Sequence, residues 1–321
     1  MLFTMDITKK NIYIPEDIQK KEIYNHISKY AKSNWLASIW NLLSTMYLLY
    51  ICLINESWFM IPLCSLTLVR IFVIFHDMGH DSFFPSKRAN YIIGLIVGTI
   101  VTTPYSSWTF GHNHHHRNSN KLDRKQYSQT SPWDTKLYHS KSYFERIAYK
   151  LVYGKYTLFT VVPWLYFLIF QHITAFWYET LAHILYLFGI LYFGSYSKML
   201  YLLISYWFAG AFGFLLFHAQ HTFDGVYKEK EKEWDYFKNG VYGCSYILVP
   251  WYLKYFTCGI EYHHIHHLNT LVPSYNLKKC HDEGKEYFKN VKRITFYDII
   301  NSIGYSLYNI DDKKFEDIYY H

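Results

Sequence analysis

The chain has 321 residues, which allows one or two domains, and 51% of them are hydrophobic, with the apolar and aromatic residues gathered in long runs. Four such runs are typical of a membrane protein and disfavour a soluble globular enzyme. The net charge of +7 fits an anionic membrane surface. Because no nucleic-acid-binding motif accompanies this charge, we expect no nucleic-acid partner.

Residues 1–35 are polar, carry several lysines and lack an early apolar core. This pattern differs from a signal peptide and predicts an N-terminal arm that its positive charge holds on the cytosolic side of a membrane. We expect residues 36–321 to form a second unit that carries the membrane segments and a cytosolic catalytic cap. The five cysteines are odd in number without paired spacing, which predicts free thiols in a reducing compartment.

Four apolar runs are long enough to cross a bilayer, which takes roughly 20 helical residues. They are residues 36–54, 58–75, 174–194 and 199–217. Three other apolar stretches, 92–101, 158–170 and 247–256, are short or interrupted by proline, and we expect none of them to cross. The predicted fold is an all-α integral membrane protein with four transmembrane helices in two hairpins, interfacial helices and a His-rich di-metal cap. Residues 297–308 are expected to form an amphipathic surface helix.

Basic residues concentrate in the segments between the two hairpins. They include Lys87, Arg88, Arg117, Lys121, Arg124 and Lys125. The turns within the hairpins carry little positive charge, so the positive-inside rule predicts that both termini and these segments are cytosolic. The expected location is the endoplasmic reticulum membrane or a bacterial inner membrane.

Twelve of the 18 histidines fall in four short clusters beside the apolar runs, at residues 76–80, 112–116, 218–221 and 263–267. Residues three and four apart share one face of a helix. The faces defined in this way hold His76 and His80, then His112, His115 and His116, and finally His263, His266 and His267. His114 and His264 fall off these faces and are interpreted as non-ligands.

Eight imidazoles on these faces, with one more from the third cluster, are too many for a single metal ion and suit two. Imidazole binds iron, copper, nickel and zinc. No cysteine accompanies the clusters, as structural zinc commonly requires, and the scarcity of carboxylates disfavours magnesium and calcium. Two redox metals at a membrane surface predict oxygen chemistry on a lipid.

The residues around the clusters carry a resemblance. The first cluster reads His76-Asp-Met-Gly-His80 and is followed by Ser82-Phe83-Phe84. The second reads His112-Asn-His-His115-His116 and is preceded by Pro104 and Trp108. The third and fourth read Gln220-His221-Thr222-Phe223 and Tyr262-His263-His264-Ile265-His266-His267-Leu268. In order and spacing, over residues 36 to 285 or so, this text resembles the membrane fatty-acid desaturase family, specifically its acyl-lipid branch. A departure is Phe217, where some relatives have an asparagine.

The resemblance implies nine metal ligands: His76, His80, His112, His115, His116, His221, His263, His266 and His267. It also implies two iron ions, molecular oxygen as co-substrate and two electrons for each double bond formed in an acyl lipid. Asp77 and Glu261, next to ligands, are candidates for orienting imidazoles. The chain shows no haem, dinucleotide or iron–sulfur motif, so we expect an external electron donor, a ferredoxin or a b-type cytochrome.

Other functions remain open at this point. A related di-iron hydroxylase, acetylenase or carotenoid ketolase would share the same clusters, and product analysis would separate them. A membrane metal-binding or transport protein is the alternative from another class, although transporters place their ligands near the bilayer midplane. Residues 92–108 could line an acyl channel, whereas Gly94 and Gly98 equally permit close helix packing.

Overall fold

The structure is a computed structural model that describes residues 17–123 and 132–321. The helices of the first half are α1 (Asp17–Ser28), α2 (Trp35–Ile54), α3 (Ile61–Gly79), α4 (Lys87–Ile100), α5 (Tyr105–Asn118), α6 (Thr135–Ser140), α7 (Tyr143–Tyr153), α8 (Lys155–Leu158) and α9 (Val162–Leu165). The helices of the second half are α10 (Gln171–Ile173), α11 (Trp177–Phe193), α12 (Tyr196–His221), α13 (Tyr236–Tyr242), α14 (Lys254–Thr257), α15 (His263–Leu268), α16 (Ser274–Glu283) and α17 (Phe296–Ser302). Residues 1–16 of the predicted N-terminal arm, and Arg124 and Lys125 of the basic segment, lie outside the described residues.

Among the described residues, three helical segments are long and apolar enough to cross a membrane: α2, the stretch Trp58–Gly79 that contains α3, and α12. The first and third begin with a side-chain cap, because Asn34 accepts from the backbone N–H of Ala37 and Ser195 accepts from that of Lys198. Helix α11, with 17 residues, is shorter and similarly apolar. The outward faces of α2 and α11 expose many large apolar side chains. An apolar surface of this extent, beside helices long enough to cross a bilayer, favours membrane association.

The shorter apolar stretches form broken elements. Residues 158–170 divide into the end of α8, then α9, which has Pro163 in its first turn, and a π-helical turn, Tyr166–Phe170, that continues into α10. Residues 247–256 begin in a strand, turn, and end in the four-residue α14. Helix α4 has 14 residues and packs along α3.

The all-α prediction misses five short strands in the part of the chain that the structure describes. They are β1 (Trp133–Asp134), β2 (Tyr246–Ile247), β3 (Arg293–Ile294), β4 (Leu307–Asn309) and β5 (Lys314–Glu316). Strand β4 lies between β1, to which it is parallel, and β5, to which it is antiparallel, while β2 and β3 form a separate parallel pair.

The prediction of one surface helix over 297–308 is wrong in its second half. Helix α17 ends at Ser302, and the chain then enters β4. There Leu307 and Tyr308 are buried by strand pairing and packing, not by one face of a helix.

The cap, by which we mean α1, β1, α6 and residues 222–321, covers one end of the long helices. Ile23 and Ile27 of α1 are buried against Tyr262 and Ile265 of the last histidine cluster. The described part of the predicted arm therefore belongs to the cap. All five cysteines are free thiols and buried.

Helix α3 is the centre of the membrane region and packs against α2, α4 and α12. Close contact explains both glycines of α4, since a Cβ at Gly94 would lie 2.3 Å from the ring of Tyr105 and a Cβ at Gly98 would lie 2.9 Å from that of Phe75. The structure thus favours helix packing as the reason for this pair. Arg70 of α3 is buried, and its guanidinium donates to Thr45 Oγ1 of α2 at 2.8 Å.

Candidate metal centre

Four helix segments bring the predicted ligands together where the long helices meet the cap. His76 lies in the last turn of α3 and His80 directly follows that helix. Helix α5 carries the second cluster, α12 ends at His221, and α15 carries the last cluster. Each cluster is helical or ends a helix, as its spacing predicts, and all nine predicted ligands are buried.

The nine imidazoles divide into two groups, in each of which the nitrogen atoms lie within 4.8 Å of one another. The first group consists of His76, His80, His112, His116 and His266. In it the Nε2 atom of His116 lies 3.1 Å from that of His112 and 3.0 Å from that of His266. Imidazole nitrogens from three different helices therefore point at one small space.

The second group consists of His115, His221, His263 and His267. The Nε2 atoms of His221 and His263 are 2.9 Å apart. The ring of His115 lies 4.8 Å from that of His221 and 5.1 Å from that of His267. This group again draws one or more imidazoles from each of three helices.

The two groups are direct neighbours because consecutive residues of α5 and α15 belong to different groups. His115 and His116 diverge in this way, and so do His266 and His267. The rings of His116 and His267, one from each group, are 4.2 Å apart. Two adjacent imidazole groups that both draw on α5 and α15 are suited to bind a pair of metal ions.

Burial favours the neutral form of several of these imidazoles. It lowers the pKa of His112, His116 and His266 well below the usual 6.5, and the neighbouring imidazoles lower it further because two positive charges at this distance repel. The pKa values of His263 and His267 in the second group are lowered for the same reasons. A neutral imidazole has a free lone pair, which is the form that binds a metal.

The donor set fits transition-metal ions. Within residues 17–123 and 132–321, the buried Nε2 atoms of His80 and His267 have no hydrogen-bond partner. An unpaired buried polar atom costs free energy, and a metal ion at these positions would remove that cost. Both groups offer imidazole nitrogen alone among the described residues, which suits iron, copper, nickel or zinc and disfavours magnesium and calcium.

Contacts behind the ligands orient some of the rings. The carboxyl group of Asp77 lies 3.2 Å from His76 Nδ1 and accepts a hydrogen bond from the backbone N–H of Ser274 at 2.6 Å. The side-chain oxygen of Asn113 lies 3.1 Å from His80 Nδ1. Asn113 escaped the sequence analysis, although its position inside the second cluster was a usable signal.

Glu261 occupies a different environment from Asp77. Its side chain is buried, and its carboxyl interacts with Thr257 and with the backbone at residues 259 and 261, with burial raising its pKa. No contact between this carboxyl and an imidazole is seen in the described parts of the chain, and Glu261 Oε2 is buried without a hydrogen-bond partner there. The geometry supports Asp77 more strongly than Glu261 as an orienting residue.

The histidines interpreted as non-ligands lie outside both groups. His264 Nε2 lies 3.2 Å from His281 Nδ1, on the cap side of α15. His218 Nε2 contacts the carbonyl oxygen of Ser302 at 2.7 Å. His114 also belongs to neither group.

Comparison with known proteins decides the family. The family model of fatty acid desaturases matches residues 56–297. The chain belongs to the fatty acid desaturase family. It is 33% identical over 259 residues to a fatty acid desaturase of Bacillus subtilis, covering 77% of this chain and 73% of that protein. It is also similar to the sn-1 oleoyl-lipid 12-desaturase of a Picosynechococcus species, with 28% identity, 73% of this chain and 70% of that one.

A plant relative extends the comparison. The chloroplastic omega-6 fatty acid desaturase of Glycine max is 24% identical over 310 residues, covering 88% of this chain and 68% of the plant protein. Fatty acid desaturases are oxidoreductases of lipid metabolism, so the chain is an enzyme of that class. Family membership also removes the metal-transport alternative.

A cavity of about 550 Å³ opens from the desaturase metal centre into the membrane region. His76, His112 and His263 form its polar end. Residues of α3, of the 161–170 segment and of α12 form most of the rest, with further contributions from residues 101–108, residues 151–157 and Ile260, and almost all of this surface is apolar. Of residues 92–108, for which a channel wall and close helix packing were equal alternatives, only Val101, Thr102 and Trp108 contribute, so the principal wall was not predicted.

Glu179, in the first turn of α11, is a further buried residue that the sequence analysis missed. Its carboxylate accepts hydrogen bonds from Ser106, from the backbone N–H at 3.2 Å and from the hydroxyl at 2.5 Å. Ser106 is in the first turn of α5, the helix with three of the nine imidazoles, and Pro104 provides no side-chain cap there. The usable signal was an acidic residue inside an apolar run, which is expensive unless paired.

Proposed function

We propose that the chain introduces a C=C double bond into the acyl chain of a membrane lipid, with two iron ions held by the two imidazole groups and with O2 as co-substrate. The observation that carries the proposal is the position of the cavity. A long apolar space that ends directly at His76, His112 and His263 fits an alkyl chain whose reacting carbons lie beside the metals.

Iron would supply the oxygen activation and electron transfer that no protein side chain provides. His76, His80, His112, His116 and His266 would hold one ion, and His115, His221, His263 and His267 the other. Asp77 would fix the ring orientation of His76 through its 3.2 Å contact. Trp108 stacks on His112 with ring centroids 4.5 Å apart, which holds this imidazole at the end of the cavity.

The cavity would select an acyl chain by excluding water and polar groups. Its volume lies within the range of pockets that enclose small ligands. Phe72 and Phe167 line its middle, at a ring-centroid distance of 6.0 Å. Several relatives bear the name of acyl-lipid 12-desaturases, which supports an acyl chain esterified in a membrane lipid as substrate.

The proposed topology has four crossings, formed by α2, α3, α11 and α12. Both termini, the cap and the metal centre would then lie in the cytosol, in the endoplasmic reticulum membrane or a bacterial inner membrane. The positive charges outside the apolar runs support this orientation. A cytosolic centre is accessible to an external electron donor, a ferredoxin or a b-type cytochrome, which would deliver two electrons for each double bond.

The test is fatty-acid analysis of yeast that expresses the chain, beside two variants. His115→Ala removes an imidazole of the second group, and His139→Ala removes an exposed histidine outside both groups. We expect a new unsaturated fatty acid with the unchanged chain and with His139→Ala, and none with His115→Ala.

The chemical identity of the product separates the remaining alternatives. A hydroxylated or acetylenic product, or an oxidised carotenoid, would assign the chain to another reaction of the same centre. The proposed function would be contradicted if the purified protein contains iron, receives electrons from reduced ferredoxin or cytochrome, and still oxidises no lipid. Protein without bound iron would contradict the di-iron assignment.

A further inference from the structure

One glycine of α12 leaves part of the cavity wall open. Ten residues of this helix line the cavity. Six of them recur at intervals of three and four and so share one helix face: Tyr206, Ala209, Gly210, Gly213, Phe217 and Gln220. Gly213 is in the middle of this face, and a Cβ added there would meet no atom within 4 Å. Because its neighbours on both sides face the cavity, the free space at Gly213 is cavity space.

The preceding glycine on the same face has a different role. A Cβ at Gly210 would lie 3.1 Å from Pro163 and 3.3 Å from Phe167, so this glycine lets the broken segment around the π-helical turn pack tightly on α12. Close packing accounts for Gly210 and does not account for Gly213. An empty position in the wall of a substrate cavity contributes volume.

The position of Gly213 fixes which part of a bound chain it would contact. Gly213 precedes His221 by eight residues, which is about 12 Å along the helix axis. Carbon–carbon bonds of about 1.5 Å advance an extended alkyl chain by roughly 1.25 Å per carbon, so this distance corresponds to roughly nine or ten carbons. Gly213 therefore lies beside the part of the chain well beyond the reacting carbons.

We propose that Gly213 is a specificity-determining residue that sets the length of acyl chain accepted beyond the oxidised bond; this rests on the proposed function. A larger side chain at this position occupies the space of the methylene groups roughly nine or ten carbons beyond the reacting carbons. The reacting carbons then still reach the imidazole end of the cavity only if the chain is shorter, or if it binds in a shifted register.

The experiment uses the full chain in yeast fed with myristate, palmitate and stearate, and measures the length and double-bond position of each unsaturated product. Gly213→Ala and Gly213→Leu are compared with Gly189→Leu. Gly189 is the matched control because it lies in α11, outside this cavity, and a Cβ there also meets no atom within 4 Å.

We expect Gly213→Leu to change the ratio of short-chain to long-chain product by roughly tenfold or more in favour of the short chain, since pocket volume discriminates chains by about this factor. Gly213→Ala gives a smaller change in the same direction, and Gly189→Leu keeps the original ratio. A shift of the double bond along the chain in Gly213→Leu also supports the proposal.

Unchanged product lengths and bond positions in Gly213→Leu would overturn the inference while leaving the proposed function intact. If the leucine variant makes no product at all, the same ratio measured for Gly213→Ala decides, and no change there overturns the inference. Absence of unsaturated product from the unsubstituted chain would instead contradict the proposed function.

Discussion

The metal centre and the cavity that leads to it are built in opposite ways. The centre consists of buried polar atoms, with imidazole nitrogens about 3 Å apart that several fixed contacts hold in place. The cavity is defined by apolar surface and by the space that residues such as Gly213 leave empty. Catalysis in this protein therefore depends on the positions of individual atoms, whereas substrate selection depends on the volume of the cavity. Substitutions in the centre should have large effects on activity, and substitutions in the cavity should have graded effects.

The largest effect is expected from His116→Ala. This imidazole contacts His112 and His266, and its ring lies 4.2 Å from that of His267 at a tilt, so its loss opens the first group and the wall between the groups. We expect activity to fall at least about a hundredfold, beyond the range typical for residues that only orient ligands. Metal content by mass spectrometry and product yield check this.

The matched control for that prediction is His114→Ala, on the same helix but in neither group. It should retain metal and activity. Equal losses of metal and activity in His116→Ala and His114→Ala would show that the first substitution damages the helix and not the imidazole group.

The next effect concerns the contact behind His76. Asp77→Asn weakens the acceptor at 3.2 Å and should lower metal affinity by about ten- to a hundredfold, measured by competition with a chelator. Glu261→Gln alters a carboxyl group of similar burial that faces Thr257 and backbone groups, so we expect a smaller loss of affinity. A larger loss of metal affinity in Glu261→Gln than in Asp77→Asn would show that Glu261, and not Asp77, is the more important orienting residue.

A smaller effect is expected where the membrane region supports the centre. Glu179→Gln replaces a carboxylate that holds the start of α5, and hydrogen bonds to charged groups contribute about 1.5–3 kcal/mol. Thermal unfolding in detergent should shift to lower temperature, with metal affinity reduced less than in Asp77→Asn. No shift in unfolding temperature would show that Ser106 does not depend on this acceptor.

The smallest effect is a pH dependence of stability from a buried cation in the cap. Burial lowers the pKa of Lys228 to about 8, and its ammonium group donates to Asn120 Oδ1 at 3.0 Å. An unfolded lysine keeps its proton up to about pH 10.4. Between these values the unfolded state binds more protons, so the lysine's contribution to stability rises with pH, by at most about 1.4 kcal/mol per pH unit.

Lys228→Met should remove this contribution and leave a flatter stability profile between pH 8 and 10. Urea unfolding of the two proteins across that range, followed by fluorescence, provides the measurement. Parallel profiles would show that Lys228 titrates in the folded protein as it does in the unfolded one.

The sequence predicted the parts that depend on local spacing. Helical intervals of three and four selected eight of the nine imidazoles in the two groups, because residues on one turn of a helix face the same way, and the resemblance to the desaturase family added His221. The four long apolar runs likewise coincide with α2, α3, α11 and α12. These features need no knowledge of tertiary contacts.

Features that depend on contacts between distant residues were not predicted. The assignment of His115 and His116 to different groups follows from where α12 and α15 approach α5. Strand β4 forms because β1, more than 170 positions away, and β5 offer backbone partners. The hydrogen bond between Ser106 and Glu179 likewise joins helices that are far apart in the sequence, and so does the one from Arg70 to the carbonyl oxygen of Tyr255.

The central claim is that two neighbouring imidazole groups hold two iron ions, and the iron content of the purified protein tests it most directly. The account predicts two iron ions for each chain and a clear loss of iron in His116→Ala. A single metal ion per chain, or iron binding that persists unchanged when His116 is replaced, would contradict it.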